Sequence, residues 1–328
     1  MPERAFISQG LQVGAEATPG TNVAANKKFV TVGVESGVKV SIVDFTPEGS
    51  KFATTVFPGM EWTEFKLNGI GSYSELLWIF SSVLVTPPAP TVVDTSARKW
   101  IFAPNSFAAD IATTLSMEQG DTVRAQKWAY GLVTDMELKI NRQGIALSGQ
   151  GIGQKMSDGI TLTASPTTPP TVPIFGNEID IFLDPTFGAL GTTKLLRVLD
   201  ATITVGSRFV PVWVMNTANA SYVAHVEVNP TTEMKLIVEA DTQGMGLLTN
   251  LRAGSTNFIR INATSPTLAG ASTQFYQMQW DAAIKVKDAA AFSDQNGIYA
   301  IEWTFEQVYD AGFGKAMNVS LWNKELTL

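Results

Sequence analysis

The sequence predicts a mainly β protein made of two tandem sandwich- or barrel-like β modules, each with one short α-helix. Three observations predict it. Near the C-terminus, Met278, Trp280, Ile284 and Val286 alternate with Gln279, Asp281, Lys285 and Lys287, and Ile301, Trp303 and Phe305 alternate with Glu302, Thr304 and Glu306. That is the period of a strand with one dry and one wet face. A second such pair lies at 132–141 and 144–152, where Asp135, Leu138, Lys139 and Ile140 align at constant spacing with Asp281, Ile284, Lys285 and Val286. Between the pairs, Ser165-Pro-Thr-Thr-Pro-Pro-Thr-Val-Pro173 cannot form helix or central strand, because proline fixes φ and lacks the amide proton. Read as an internal repeat, the chain divides into an N-terminal arm (1–30), a first module (31–156), a Pro/Thr-rich linker (157–177), a second module (178–322) and a C-terminal tail (323–328).

The elements follow in order. Thr18-Pro19-Gly20 reads as a turn, with proline presetting φ and glycine free for positive φ. Val30, Val32, Val34, Val38, Val40 and Ile42 alternate, giving a hairpin turning at Ser36-Gly37 or one bent strand. Asp44 to Gly59 reads as a loop with Phe45, Phe52 and Phe57 on it, which either fold back onto the core or insert into a neighbouring subunit. Glu61 to Leu67 is a strand. Ser72-Tyr-Ser-Glu75 has the capping-box pattern and opens an amphipathic helix over 74–84, with Leu76, Leu77, Phe80, Val83 and Leu84 at helical spacing. Strands follow at 99–102 and 115–118, then the first long hairpin, 128–154. In the second half, strands are expected at 178–184, 195–205 (Leu196, Val198, Ile203 and Val205 facing the core), 208–215, 221–228 and 233–239. A helix capped by Asp241 and stopped by Gly254 mirrors the first, weakened by Gly244 and Gly246. Residues 257–262 are expected to mirror 99–102, and 318–322 to form a last strand before a free tail.

Composition narrows the functions. The length of 328 residues suits about two domains. Charged residues are 16%, below the roughly 25% of soluble domains, which suits a surface covered by other chains or one rich in Thr, Ser and Asn. The net charge of −7 argues against gripping phosphates, which takes clustered Lys and Arg, but not against letting nucleic acid pass. There is no cysteine, so no disulfide or thiolate metal site. The start lacks a signal-peptide pattern, and the most apolar run, 76–84, is too short to span a bilayer. Synthesis in the cytoplasm and no membrane partner are expected.

Chemistry is not written into the pattern. His225, the single histidine, has no ligand partner at metal spacing. There is no phosphate-binding Gly-Lys-Ser/Thr loop and no Gly-x-Ser-x-Gly elbow. Gly149-Gln-Gly-Ile-Gly153 lies in a strand, where glycine marks a bulge or close backbone approach. The acid pairs Asp180/Asp184 and Glu302/Glu306 have a spacing found on any wet sheet face, whereas glycosidase chemistry needs a cleft with carboxyls about 5–9.5 Å apart. No cofactor is expected.

One stretch carries a resemblance. Gln12-Val-Gly-Ala-Glu-Ala-Thr-Pro-Gly-Thr21, followed by Ala24-Ala-Asn-Lys-Lys28, resembles the start of the tail tube (major tail) proteins of long-tailed bacteriophages. The resemblance implies tail-tube-like modules, here of a two-module type, and a structural virion protein synthesised in the host cytoplasm and located in the tail. It implies self-assembly into rings that stack as a conduit for genome DNA, with other tail proteins at the tube ends. Two modules suggest three chains per pseudo-hexameric ring, with a six-chain ring as the alternative. Inter-subunit contacts are then expected at Phe6, Gln12, Glu16, Thr18, Pro19, Lys27, Phe45, Phe52 and Phe57 and in the C-terminal tail. Asp135, Glu137, Lys139, Asp281, Lys285, Glu302 and Glu306 are candidates for the lumen face. The rival readings are a carbohydrate-active β-sandwich enzyme and a tail or cell-surface binding module.

Overall fold

A computed structural model describes residues 9–215 and 219–328. In the first half the strands are β1 (Gly10–Ala15), β2 (Lys27–Phe29), β3 (Val32–Phe45), β4 (Thr55–Ile70), β5 (Thr91–Val92), β6 (Arg98–Phe102), β7 (Leu115–Gly120), β8 (Ala125–Asn141), β9 (Gly144–Gly153) and β10 (Ser157–Ile160), with helix α1 (Leu76–Val83) after β4. The second half carries β11 (Ile179–Asp184), β12 (Val198–Gly206), β13 (Phe209–Val212), β14 (Ala224–Glu227), β15 (Thr231–Glu239), helices α2 (Thr242–Met245) and α3 (Leu247–Ala253), then β16 (Asn257–Leu268), β17 (Phe275–Ala289), β18 (Ser293–Gln295), β19 (Ile298–Gln307) and β20 (Met317–Asn323). Strand accounts for 53% of the chain, and all but β13 and β14 belong to one hydrogen-bonded network.

One antiparallel pairing scheme occurs twice in the same chain order. In the first half β1 pairs β7, β7 pairs β8, β3 pairs β4, β4 pairs β9, β9 pairs β8, and β10 lies on β8. In the second half β11 pairs β16, β16 pairs β17, β12 pairs β15, β15 pairs β19, β19 pairs β17, and β20 lies on β17. The registers agree at the hairpins. Lys139 faces Ala146 and Asn141 faces Gly144, as Ser293 faces Ala300 and Gln295 faces Ile298. Trp128 and Trp280 also correspond, through Val13–Met117–Trp128 and Ile181–Ile261–Trp280.

This register corrects two sequence alignments. Asp281 is not the counterpart of Asp135, because the second hairpin reaches its turn through the extra strand β18; local amphipathic pattern matched, but pairing did not. Residues 257–262 answer to β7, not to 99–102, since β16 and β7 each bridge the strands before and after them.

The halves share one buried core running from Leu11 to Leu321. Two pairings join them, β8 with β12 and β6 with β20. Helix α1 lies at their meeting, with Phe80 edge-on to Phe102 and to Trp280 at 5.7 and 6.0 Å. All eight residues of α1 are buried, so it is a core helix and not an amphipathic one. Its expected capping box is half made. Ser72 Oγ accepts from the Glu75 amide at 3.2 Å, but the Glu75 carboxylate turns away to accept from the amides of Val30, Thr31 and Val32 and from Thr31 Oγ1. The second helix is broken at Gly246, with the Asp241 carboxylate accepting from Gly244 N at 2.8 Å and Gly254 at φ 60° ending it.

Other expectations change. The loop expected over 44–59 is confined to 46–54, because β3 runs to Phe45 and β4 starts at Thr55, forming one long ribbon. Leu196 is exposed and lies before β12, outside the core. The Pro/Thr-rich linker contains β10 and is laid onto the first half, where Ile174 is fully buried and its amide and carbonyl bond Gly71 and Ile145. The tail is held too: Asn323 Nδ2 donates to the Tyr73 carbonyl at 3.0 Å and Glu325 pairs with Lys27 at 2.5 Å.

Candidate assembly surfaces

Three surfaces gather the residues singled out in the sequence. The first is the wet face of the strand run β3–β4–β9–β8–β12–β15–β19, which continues through β18 and the end of β17. Because the side-chain period is two, direct partners share a face, and one row reads Glu137, Thr204, Glu233, Glu306, Lys285. The next reads Lys139, Thr202, Lys235, Thr304. Lys139 contacts Glu137 at 3.1 Å, and Lys235 contacts Glu302 at 3.5 Å. Over β8 to β17 the face carries Asp135, Glu137, Asp200, Glu233, Glu302 and Glu306 against Lys139, Lys235 and Lys285, so it is net acidic. Burial pushes the Asp200 carboxyl up.

Asp281 does not join this face. It is buried under Arg260, which holds it by two bonds of 2.7 and 2.9 Å. Beyond it the side of β17 at Ala283 is covered by Leu190, Phe258 and Phe313. Asp135 is on the face but also accepts from the Ser207 amide at 2.8 Å.

The second surface is the outer part of the β3–β4 ribbon. β9 supports β4 only from Thr63 onward. Beyond that the ribbon bulges at Ser41, whose Oγ accepts from the Met60 amide at 2.7 Å. Phe45, Phe52 and Phe57 are 57%, 81% and 55% exposed, with Ile42 and Val43 also exposed. Within the chain the three phenylalanines do not fold back onto the core.

The third is the N-terminal stretch, and much of it is engaged internally. Phe6 lies outside the described residues. Gln12 is buried in β1. The buried Glu16 carboxylate accepts from Gly20 N, Thr114 Oγ1, Ser116 Oγ and Tyr130 N at 2.8–2.9 Å. It thereby fixes the turn, in which Thr21 N bonds Thr18 O and Gly20 has φ 79°. Among the described contact candidates of this stretch, Thr18 and Pro19 are exposed and the others are not. Lys27 is committed to Glu325 and lies 5.4 Å from the Trp78 ring. The pattern of a free arm missed this, because short strands separated by a turn look alike on or off a sheet.

The remaining candidates have structural partners. Residues 207–215 and 219–230 reach from the second half over the first, where the Arg208 amide bonds the Thr134 carbonyl and the Glu61 amide bonds the Ala220 carbonyl. The Arg208 guanidinium, 1% exposed, bonds Glu227 at 2.7 Å and Asp110, whose carboxyl burial pushes up. Tyr222 OH donates to the Tyr130 carbonyl. His225 sits in this clasp, its Nδ1 3.1 Å from Tyr130 OH, and burial lowers its pKa. No sequence motif marks the clasp; its one signal is the apolar run at 209–214. Gly151 and Gly153 are glycines because a Cβ would fall 2.2 Å from the Phe65 and Trp128 rings. Asp184 binds the 191–193 loop and Asp180 pairs with Lys194 at 2.5 Å, while Glu302 and Glu306 stand on an open sheet. Among the described residues no cluster suits a metal ion, and no helix is long and apolar enough to cross a membrane.

No protein-family model matches the chain, and no curated protein matches it. Thirteen solved chains match. One is from the SPP1 tail tube, solved by solid-state NMR and cryo-electron microscopy, at 12% identity and a TM-score of 0.32, covering 47% of this chain and 81% of that chain.

Proposed function

We propose that this chain is a structural protein of a bacteriophage tail, built of two tandem tube-like modules, which assembles into stacked rings that conduct genome DNA. The observation that carries the reading is the wet sheet face, unbroken from one half into the other and net acidic. A channel wall needs such a surface. Carboxylates repel phosphates, and the lysines that could bind them are interleaved with acids, so DNA passes hydrated instead of being held. The N-terminal motif from Gln12 to Thr21 points to the same family.

The recurring pairing scheme supports three chains per ring, each supplying two equivalent wall segments. The exposed ribbon with Phe45, Phe52 and Phe57 suits a contact between stacked rings, since contiguous exposed apolar surface marks a protein interface. Head-to-tail contacts of this kind are heterologous and generate rings or open stacks. Other tail proteins would cap the ends, and the work of the molecule is done by surfaces without catalysis.

The test is negative-stain microscopy of the purified protein across concentration. Rings or hollow tubes are expected. A particle that stays monomeric at every concentration would contradict the reading and favour a binding module or an enzyme.

A further inference from the structure

The joint between the halves is itself a template. At it, the outer edge of β12 pairs the end of β8, with Ala201 facing Ile140, Ile203 facing Leu138 and Val205 facing Met136. Building on the ring reading, we infer that the same joint links one chain to the next: the outer edge of β3 receives β18 of a second copy together with the residues 290–292 that lead into it.

The register names the partners. Val34–Leu67–Gly149 in the first half answers to Ala201–Leu236–Trp303 in the second. Ile140–Ile145 answers to Asp294–Tyr299. Since Ala201 faces Ile140, Val34 faces Asp294 of the second copy, Glu35 faces Ser293, Ser36 faces Phe292 and Gly37 faces Ala291.

Burial shows where a neighbour is missing. Leu138, Ile140 and Ile145 are all buried, whereas their counterparts Phe292, Asp294 and Tyr299 are exposed. Phe292 and Tyr299 stack on each other at 4.6 Å and are left 48% and 61% exposed. On the other edge, Ala201, Ile203 and Val205 are buried, but Val34 and Ser36 are half-buried and Val38 is exposed. Each end of the chain's wall therefore lacks the neighbour that its counterpart has at the internal joint.

The space matches as well. Beside β12, residues Ile140 to Arg142 of the first hairpin border a groove of about 660 Å³ between β11 and β12. The counterpart groove, between β1 and the outer edge of β3, is about 560 Å³ and is lined by Leu11, Phe29, Val32 and Val34. Among the described residues no hairpin tip borders it. There the Val34 carbonyl accepts from Gln119 Nε2 at 2.9 Å, so a side-chain amide stands in for a partner strand. An unpaired edge is a template for another chain. The two edges lie at opposite ends of the strand run, so a chain does not make this joint with itself, and a second copy supplies the partner.

The chain has no cysteine, and directly opposed residues lie within disulfide reach. Glu35→Cys and Ser293→Cys alter exposed sites. Under mild oxidation the double variant should give covalently linked chains that end at ring size on a non-reducing gel. The out-of-register pair Glu35→Cys with Lys287→Cys should give none. Mixed single variants should give only the mixed dimer. If rings form but the Glu35/Ser293 pair does not link, or if homodimers of one variant appear, the joint is wrong and the ring reading stands. If no assembly forms in any variant or in the parent protein, both fall.

Discussion

At Glu75 one buried carboxylate holds the amides of Val30, Thr31 and Val32, tying the entry of β3 to the start of α1. Replacing it by alanine leaves buried donors unsatisfied at roughly 1–3 kcal/mol each. Glu75→Ala is expected to lower unfolding free energy by about 3 kcal/mol in urea titration, and Glu75→Gln by less, since the amide keeps one acceptor. A loss below about 0.5 kcal/mol would show the bonds to be idle. Asp184 gives a pH-dependent counterpart. Burial pushes its carboxyl up, but hydrogen bonds from Thr193, Thr192 and Gly191 together outweigh that and hold it below the ordinary range. A depressed carboxyl stabilises above its unfolded pKa, near 3.9, and that stability is lost as pH falls through the folded value. Asp184→Asn should therefore flatten the acid limb of the stability profile, while identical acid midpoints would refute it. Neither role was legible in the sequence. Glu75 had the spacing of a capping box, and Asp184 that of half an acid pair; a motif gives position along the chain but not which distant amide comes near.

Among the elements, the ribbon and the N-terminal strands have opposite standing. Phe45, Phe52 and Phe57 touch no core within the chain, so changing all three to serine should leave monomer stability nearly unchanged while abolishing tubes in microscopy. Unaltered tube formation would show that the ribbon does not stack rings. By contrast, deleting 1–27 is no test of assembly. It would remove β1, whose Leu11 and Val13 are buried, and Glu16, which organises Thr114, Ser116 and Tyr130. The alternation that predicted strands was reliable where one face is dry, as in β8, β15, β17 and β19. It failed at the two ends of 44–59, where Pro58 and Gly59 read as loop but lie in β4. A two-stranded ribbon with a bulge tolerates them because its outer edge needs no partner. It failed also at α1, whose apolar stripe hid the burial of Ser81 and Ser82.

For the molecule as a whole, the sequence showed a repeated order of elements but not its register. Local resemblance between Asp135 and Asp281 put one lumen candidate beneath Arg260, because side-chain pattern does not encode how far a strand runs before its turn. The other candidates, Asp135, Glu137, Lys139, Lys285, Glu302 and Glu306, do meet on one sheet face, since alternation fixes face even where it misplaces register. That face turned inward, closed through repeated edge joints, is the centre of the account. Cryo-electron microscopy of the assembled protein tests it most directly. The expected map has three chains per ring and one continuous β wall around the lumen, with Glu137, Glu233 and Glu306 on its inner surface. A tube whose wall carries this face outward, or whose lumen is lined by other elements, would contradict it.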